Sequence, residues 1–431
     1  MTLSEHRKGL LALSPVVVLL AVYISMSLVA GDFYRIPIGV AFVVAAIYSL
    51  TVVRGLSFHE RVGIFSHGAA NADIMYMVWI FVLAGIFATS AKAMGAVDAT
   101  VYYTLRIVPA ELLPAGIFLA ACFISMSIGT SVGTIVALTP VVEKLAVQMG
   151  ADAAWIVAIV VGGAFFGDNL SFISDTTIAA TQSQGCRMRD KFRTNLLIVL
   201  PAAIATLCIY IFAHSADSVD ILPRAVEWYC ALPYLLVIAC ALLGVNVLVV
   251  LCIGIVAADG IGLLCGSIGV VECFEAAGEG MSSMGELILV TLLAGGLMNI
   301  VKHCGGFDYL IRLLTARIRG RRGAEAVVAS LTALTNVCTA NNTIAIITVG
   351  PIARDISQRY DISPRKSASL MDTASCFVQG VLPYGAQLLM AAGLAGVSPI
   401  SIVPHLYYPM AIGVMIVLSI VFQFPKIKSE K

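Results

Sequence analysis

The chain alternates long apolar stretches with short polar loops. Ten stretches suit a full membrane crossing. The first five are about Leu11–Ala30, Pro37–Val53, Ile74–Ser90, Trp155–Thr181 and Leu196–Ala213. The second five are about Ala231–Leu243, Val245–Leu263, Leu287–Val301, Ala368–Ala395 and Leu406–Phe424, two of them meeting at a tight turn around Gly244–Asn246. A helix needs roughly 20 apolar residues to cross a bilayer. Two more stretches are interrupted. Leu112–Leu145 is broken by Gly129-Thr130-Ser131-Val132-Gly133-Thr134, and Ala326–Ile352 by Asn336 and Thr339-Ala340-Asn341-Asn342-Thr343. They predict re-entrant hairpins over about 112–147 and 326–352. Their tips would be non-helical, which membrane depth tolerates only where protein or water satisfies the backbone.

Charge placement supports this layout through the positive-inside rule. Basic loops carry Arg187, Arg189, Lys191 and Arg193; Arg312, Arg317, Arg319, Arg321 and Arg322; and Arg354, Arg359, Arg365 and Lys366. The tail carries Lys426, Lys428 and Lys431. Loops expected outside carry Asp217 and Asp220, or Glu272, Glu275 and Glu279. Counting either hairpin as a crossing would put a basic loop outside, so the pattern predicts cytoplasmic N- and C-termini. Arg7 and Lys8 precede a run, Leu10–Ala30, longer than the 7–15 residues or so of a secretory core, so it reads as an uncleaved first span.

The pattern occurs twice. Leu83-Ala84-Gly85, Lys92, Gly95 and Asp98 match Leu293-Ala294-Gly295, Lys302, Gly305 and Asp308, and Pro140 matches Pro351. Asp168 and Ser171 then pair with Asp372 and Ser375 if a loop has shortened. The expected units are 1–214 and 215–431, each with five spans and one hairpin. An odd number of crossings turns the second copy upside down. The predicted fold is therefore an all-α polytopic membrane protein, an inverted 5+5 repeat with two re-entrant hairpins and broken helices. Secondary transporters use this architecture, with the site at the midplane where the copies meet.

Composition narrows the function. Of 431 residues, 60% are hydrophobic and 12% charged, against about 25% charged in a soluble domain. The lipid bilayer is thus the chain's main partner. A net charge of +1 suggests no nucleic-acid partner. The 11 cysteines are scattered without a Cys-x-x-Cys pair, which argues for reduced, small apolar side chains. Six scattered histidines give no metal-ligand spacing, and no cofactor is expected beyond transported Na⁺ and H⁺.

The densest chemistry is Gly167-Asp168-Asn169-Leu170-Ser171-Phe172-Ile173-Ser174-Asp175-Thr176-Thr177, inside an otherwise apolar span. An ionised group near the bilayer centre costs about 2.5–3.5 kcal/mol on insertion scales. A bound cation or a proton would offset that. Na⁺ takes oxygen ligands, and a carboxylate in a poorly hydrated cavity holds either a proton or a cation. Alternating access to such a site gives exchange. Asp168 and Asp175 are the candidate carriers, with Na⁺ held between them and Asn169, Ser171, Ser174, Thr176 and Thr177 around them. Gly167 permits a helix break, and Asp, Asn, Ser and Thr compete with helical hydrogen bonds. The hairpin tips form a second layer: Thr130, Ser131 and Thr134, then Asn341, Asn342 and Thr343. Small residues at tips also serve plain helix packing. A third cluster is Asp372, Ser375, Gln379, Tyr384 and Gln387, with Pro383 breaking the helix; Asp372 alone also suits a helix start. Lys92 and Lys302 sit at span ends, where snorkelling explains them.

At these residues the sequence resembles the NhaC-type Na⁺/H⁺ antiporter family of the ion transporter superfamily. The match is strongest over Phe166-Gly167-Asp168 through Ser171 and Ser174-Asp175-Thr176-Thr177, then Gly129-Thr130-Ser131 with Gly133-Thr134. It extends from about Glu60 to Gly393. The resemblance implies a bacterial inner-membrane carrier coupling Na⁺ and H⁺ gradients, with a scaffold, a moving transport domain and, in many members, homodimers. Phe172 stands where the family commonly has Pro. The tip Ala340-Asn341-Asn342-Thr343 looks more like the tips of the superfamily's organic-anion carriers.

The leading expectation is Na⁺/H⁺ exchange. The runner-up is coupled transport of an organic acid or amino acid, with Asn341, Asn342, Gln379 and Gln387 on the substrate. An intramembrane aspartyl protease needs two carboxyls facing one water and has no use for an inverted repeat. A channel is the lesser alternative, and flux that saturates and depends on a counter-ion excludes it. The inverted repeat reads as a carrier and not an enzyme.

Overall fold

A computed structural model describes residues 3–30, 37–107, 109–171, 174–212, 227–243, 245–316 and 318–425. Phe172, Asp217, Asp220, Gly244, Arg317, Lys426, Lys428 and Lys431 lie outside them. All regular structure among the described residues is helical.

The first half holds ten helices. They are α1 (Leu3–Ala30), α2 (Ile38–Val52), α3 (Phe58–Ala69), α4 (Ala72–Ala93), α5 (Ala96–Ile107), α6 (Leu113–Ile128), α7 (Ser131–Met149), α8 (Ala153–Leu170), α9 (Asp175–Gln184) and α10 (Met188–Phe212). The second half repeats the order. It runs α11 (Leu232–Leu242), α12 (Val247–Cys265), α13 (Val270–Ser283), α14 (Gly285–His303), α15 (Gly306–Thr315), α16 (Gly320–Thr339), α17 (Asn342–Arg359), α18 (Pro364–Val381), α19 (Ala386–Ala395), the single turn α20 (Pro399–Ile402) and α21 (Tyr407–Val421). Among the described residues, eight segments are long and apolar enough to cross a membrane. The pair α20–α21, bent by 57°, makes a ninth. Helices α2, α6 and α11 are apolar but shorter.

The copies are inverted. At the start of α21, His405 Nε2 lies 3.4 Å from Asp152 Oδ2, the N-cap of α8. Beyond its other end, the Phe424 carbonyl accepts from Lys366 Nζ, in the first turn of α18. With α21 spanning about 22 Å at 1.5 Å per residue, α8 and α18 enter from opposite faces. Gln423 Nε2 donates to Glu325 Oε2 of α16 at 3.0 Å, so the base of the second hairpin shares the face of Lys366 and Arg319–Arg322. We call this the basic face. The first hairpin has its base at the other face, where Phe118 of α6 packs on Tyr408.

The backbone devices recur at fixed spacing. Gly95 and Gly305 turn the chain in the left-handed region before α5 and α15. Gly129 and Ala340 do the same at the hairpin tips, Gly150 and Asp361 before α8 and α18, and Gly185 and Gly396 after α9 and α19. From the tips onward the counterpart of residue n is n+211. The register places Asp168 opposite Gln379 and corrects its expected pairing with Asp372. Asp372 lies seven residues, about two helical turns, before Gln379, so a slipped alignment still matches the same helix face. No loop shortening is needed.

A second correction concerns Glu272, Glu275 and Glu279, expected in a loop. They lie on α13, an amphipathic helix and the counterpart of α3. These two helices cross the repeat. A Cβ on Gly68 of α3 would meet the Gly295 carbonyl of α14, and a Cβ on Gly85 of α4 would lie 2.2 Å from the Gly280 carbonyl of α13. Backbones approach this closely only where side chains are absent.

Candidate functional site

Four helix breaks converge where the copies meet. Helix α8 ends in its last turn with Asp168, and the chain is extended at Ser171 and Ser174 before α9. Helix α18 ends at Val381, ahead of Pro383, and restarts after Gly385. Each hairpin is tied to its broken helix in the same way. Ser125 Oγ donates to the Ala164 carbonyl at 2.5 Å, and its counterpart Asn336 Nδ2 donates to the Ser375 carbonyl at 2.8 Å. Ser171 Oγ donates to the Met126 carbonyl at 2.9 Å, and Tyr384 Oη to the Val337 carbonyl at 2.8 Å. The Met126 and Val337 carbonyls lie in the last turns of α6 and α16, where a helix offers them no partner of its own, so the second pair of bonds satisfies them.

Asp168 is buried. Its carboxylate accepts from Ser131 Oγ of the first tip at 2.9 Å and from Ser174 Oγ at 2.5 Å. Ser174 Oγ is also 2.9 Å from Thr176 Oγ1. The chain of bonds continues across the repeat. Gln387 Nε2 donates to Ser131 Oγ at 3.1 Å, while Gln379 Nε2 donates to Gln387 Oε1 at 2.8 Å and to the Ala340 carbonyl at 3.0 Å. Asp168 and its counterpart Gln379 thus each reach their own tip.

A cavity of about 670 Å³ opens onto this seam. Its inner wall includes Thr130, Ser131, Asp168, Asp175, Thr176, Asn341, Asn342, Thr343 and Gln387. Its outer wall is the start of α4, at Tyr76, Met77 and Ile80, and the start of α12, at Val245, Asn246 and Val247. Tyr76 Oη and the Asn246 side chain hydrogen-bond across the mouth, with the amide donating at 3.2 Å. A second cavity, about 470 Å³, is walled by Pro37, Ile38, Glu286, Leu287 and Val290. Glu286, Leu287 and Val290 are the counterparts of Tyr76, Met77 and Ile80. The two cavities thus share one wall in matching positions, on opposite faces. Of the two, the first reaches the tips. Its face follows from α1: Glu5 lies 3.9 Å from Arg312 of α15, just before the basic base of the second hairpin. α1 and α2 cross and recross, so α4 starts near the basic face.

A second polar cluster lies behind the break. The Lys191 ammonium donates to the Asn169 carbonyl at 2.7 Å, to Thr177 Oγ1 at 2.9 Å and to Asp372 Oδ2. Asn195, one turn on, donates to the same carbonyl at 2.8 Å and accepts from Ser369 and Thr373 at 2.7 and 2.8 Å.

Residues 8–214 and 223–425 match the model of the Na⁺/H⁺ antiporter family. The chain belongs to that family. It is 22% identical to the Na⁺/H⁺ antiporter NhaC of Alkalihalophilus pseudofirmus, over 91% of this chain and 90% of the relative. It is 20% identical to the malate-2H⁺/Na⁺-lactate antiporter of Bacillus subtilis, over 93% of each. It is 22% identical to the arginine/ornithine antiporter ArcD of Halobacterium salinarum, over 81% and 80%. A crystal structure of the Alcanivorax borkumensis YdaH transporter covers 85% of this chain and 89% of its own, at 14% identity and a TM-score of 0.43.

In this antiporter-family chain the predicted residues separate into two groups. Asp168, Ser131, Ser174, Thr176, Gln379 and Gln387 form the hydrogen-bonded seam, with Asp175, Thr130, Asn341, Asn342 and Thr343 on the cavity wall. Asp175 is exposed there, at the first position of α9. Asn341 caps α17 by accepting from the Ile344 N–H at 3.0 Å. The others turn away. Thr134 bonds back to the Thr130 carbonyl at 3.2 Å. Ser171 is spent on the Met126 carbonyl of the first hairpin, and Ser375 donates to the Asp372 carbonyl at 2.9 Å. Asn169 and Thr177 face Lys191, and Asp372 is held by that lysine. Asp372 and Ser375 therefore do not line the cavity. Lys191, expected in a basic loop, is buried in the first turns of α10. Its signal was the spacing Lys191–Asn195, four residues apart and so on one face of an apolar helix.

Proposed function

We propose that the chain exchanges Na⁺ for H⁺ across the bacterial inner membrane by alternating access, with Asp168 as the carrier. One observation carries the reading. Asp168 is buried at the meeting point of a hairpin tip and a helix break, and the side chains that bond its carboxylate among the described residues are hydroxyls, Ser131 and Ser174. Hydroxyl oxygens serve as donors to a bare carboxylate or as ligands to a hard cation beside it. A proton or Na⁺ each neutralises the acid, and one displaces the other. The C-terminal ends of α6 and α8, which meet here, add carbonyl dipoles favouring a cation. The positive-inside rule makes the basic face cytoplasmic, so the 670 Å³ cavity is the inward entrance and the 470 Å³ cavity on the other face lies on the outward side. Both chain ends then lie in the cytoplasm, and the copies span 1–214 and 215–431.

A second reading rests on the size of the same cavity. At about 30 Å³ per water it has room for roughly 20 waters, which suits a small organic solute as well as a hydrated ion. Asn341, Asn342, Thr343 and Gln387 line it, and the Thr130 side chain makes no capping bond at the N-terminus of α7 there. A carboxylate or amino acid would find donors at these positions, in keeping with the exchange activities named for two of the relatives.

Purified chain in proteoliposomes with an imposed pH gradient separates the two. Na⁺ alone should collapse the gradient. If Na⁺ leaves it intact while malate, lactate, arginine or ornithine collapses it, the second reading replaces the first.

A further inference from the structure

Two buried acids sit on either side of the first helix break, and they are satisfied in opposite ways. Asp168, 5% exposed, faces hydroxyls and the cavity. Asp372, 0% exposed, faces an ammonium. An ammonium has three donors. Lys191 uses one on a backbone carbonyl, Asn169; one on a hydroxyl, Thr177; and one on a carboxylate, Asp372. Carbonyl, hydroxyl and carboxylate are the oxygen donors that a hard cation takes. They come from three elements, the end of α8, the start of α9 and the middle of α18. Two of them flank the unwound break itself. An ion pair whose purpose was to join α10 to α18 would need only Asp372. The other two ligands are what a cation cradle at a helix break would supply. Asn195 holds the Asn169 carbonyl from the side, and Ser369 and Thr373 hold Asn195.

We propose that the Lys191 ammonium is a resident cation, tethered in a second oxygen cradle formed by Asn169, Thr177 and Asp372. The cradle is thereby closed to Na⁺, and the chain keeps one exchangeable site, at Asp168, instead of two. This rests on the reading of Asp168 as the exchange site, and it extends that reading to the number of ions moved. The ammonium cancels Asp372 and leaves the seam one negative charge for one proton or one Na⁺.

The test is equilibrium binding of radioactive Na⁺ to the purified full chain in detergent. Wild type should bind one Na⁺ per chain, and Lys191→Met two. Lys191→Met/Asp372→Asn, with both charges removed, should return to one. Asp168→Asn should bind none, and Asp168→Asn/Lys191→Met should regain one. A Lys191→Met chain that is folded and binds no more Na⁺ than wild type overturns the inference, because the lysine is then only a strut. So does a variant unfolded in NaCl and choline chloride alike, because Na⁺ then does not replace the ammonium. A variant folded in NaCl and unfolded in choline chloride supports it. Failure of wild type to bind Na⁺ strikes the Na⁺/H⁺ reading instead, and is seen separately from any gain on removing Lys191.

Discussion

The two broken helices share a frame and differ in chemistry. In α8–α9 and α18–α19 the breaks fall at matching positions, the tips turn through matching left-handed residues, and matching carbonyls are tied by side chains, one pair of them (Ser125 and Asn336) from matching sites. Yet the first break presents Asp168 to two serines, and the second presents Gln379 to Gln387 and a carbonyl. The backbone machinery is built twice, once for each inverted copy. The carboxylate is built once, at the first break. In the exchange proposed above, the first copy carries the ion and the second supplies a neutral surface beside it.

Substitutions at the two breaks should therefore behave unequally. The largest effect is expected for Asp168→Asn, which keeps the size and removes the charge: Na⁺-driven proton movement in proteoliposomes should fall to background. Gln379→Asn at the counterpart should leave it within about tenfold, since it weakens neutral bonds worth about 0.5–1.5 kcal/mol each. Equal losses at both would end the asymmetry. Next comes Gly167→Ala. A Cβ there would lie 2.4 Å from Met126 N and from Ser125 Cβ of the first hairpin, an overpacking cost of about 1–3 kcal/mol. Its counterpart, Val378, already carries a side chain, so Val378→Ala should instead leave a modest void. Thermal unfolding of the two variants in detergent separates these outcomes. A smaller gain is expected for Ala340→Gly. Ala340 holds φ at 50° where the first tip has Gly129. Relief of left-handed strain, offset by the entropy of glycine, should stabilise the chain by about 0.5–1 kcal/mol with exchange retained. The smallest loss is at the periphery. Ser57 and Glu60 cap α3 reciprocally, and Ser57→Ala should cost about 1 kcal/mol without altering apparent Na⁺ affinity.

Much of this frame is legible in the sequence, because tips and breaks need residues that helices reject. Gly129, Asn341-Asn342, Pro383 and the Asp168–Thr177 run announce themselves amid apolar neighbours. What escapes is of three kinds. Helices α3 and α13 are too polar to look like spans and too periodic to be loops, and their partner in the fold is each other's repeat. The Asp168–Asp372 pairing fails because helical periodicity makes a seven-residue slip nearly invisible. Lys191 fails because a lysine beside arginines at the start of a span looks like a surface charge. The spacing to Asn195 hints at an inward face, and the tertiary neighbour Asp372, 181 residues away, shows it.

The account turns on one acid at which Na⁺ and a proton exclude each other. The direct measurement is proton release into weak buffer when NaCl is added to purified chain in detergent, followed with a pH dye and compared with choline chloride. Wild type should release about one proton per chain as Na⁺ binds, and Asp168→Asn none. Release from Asp168→Asn equal to that of wild type would contradict the account, as would Na⁺ binding to wild type with no proton released.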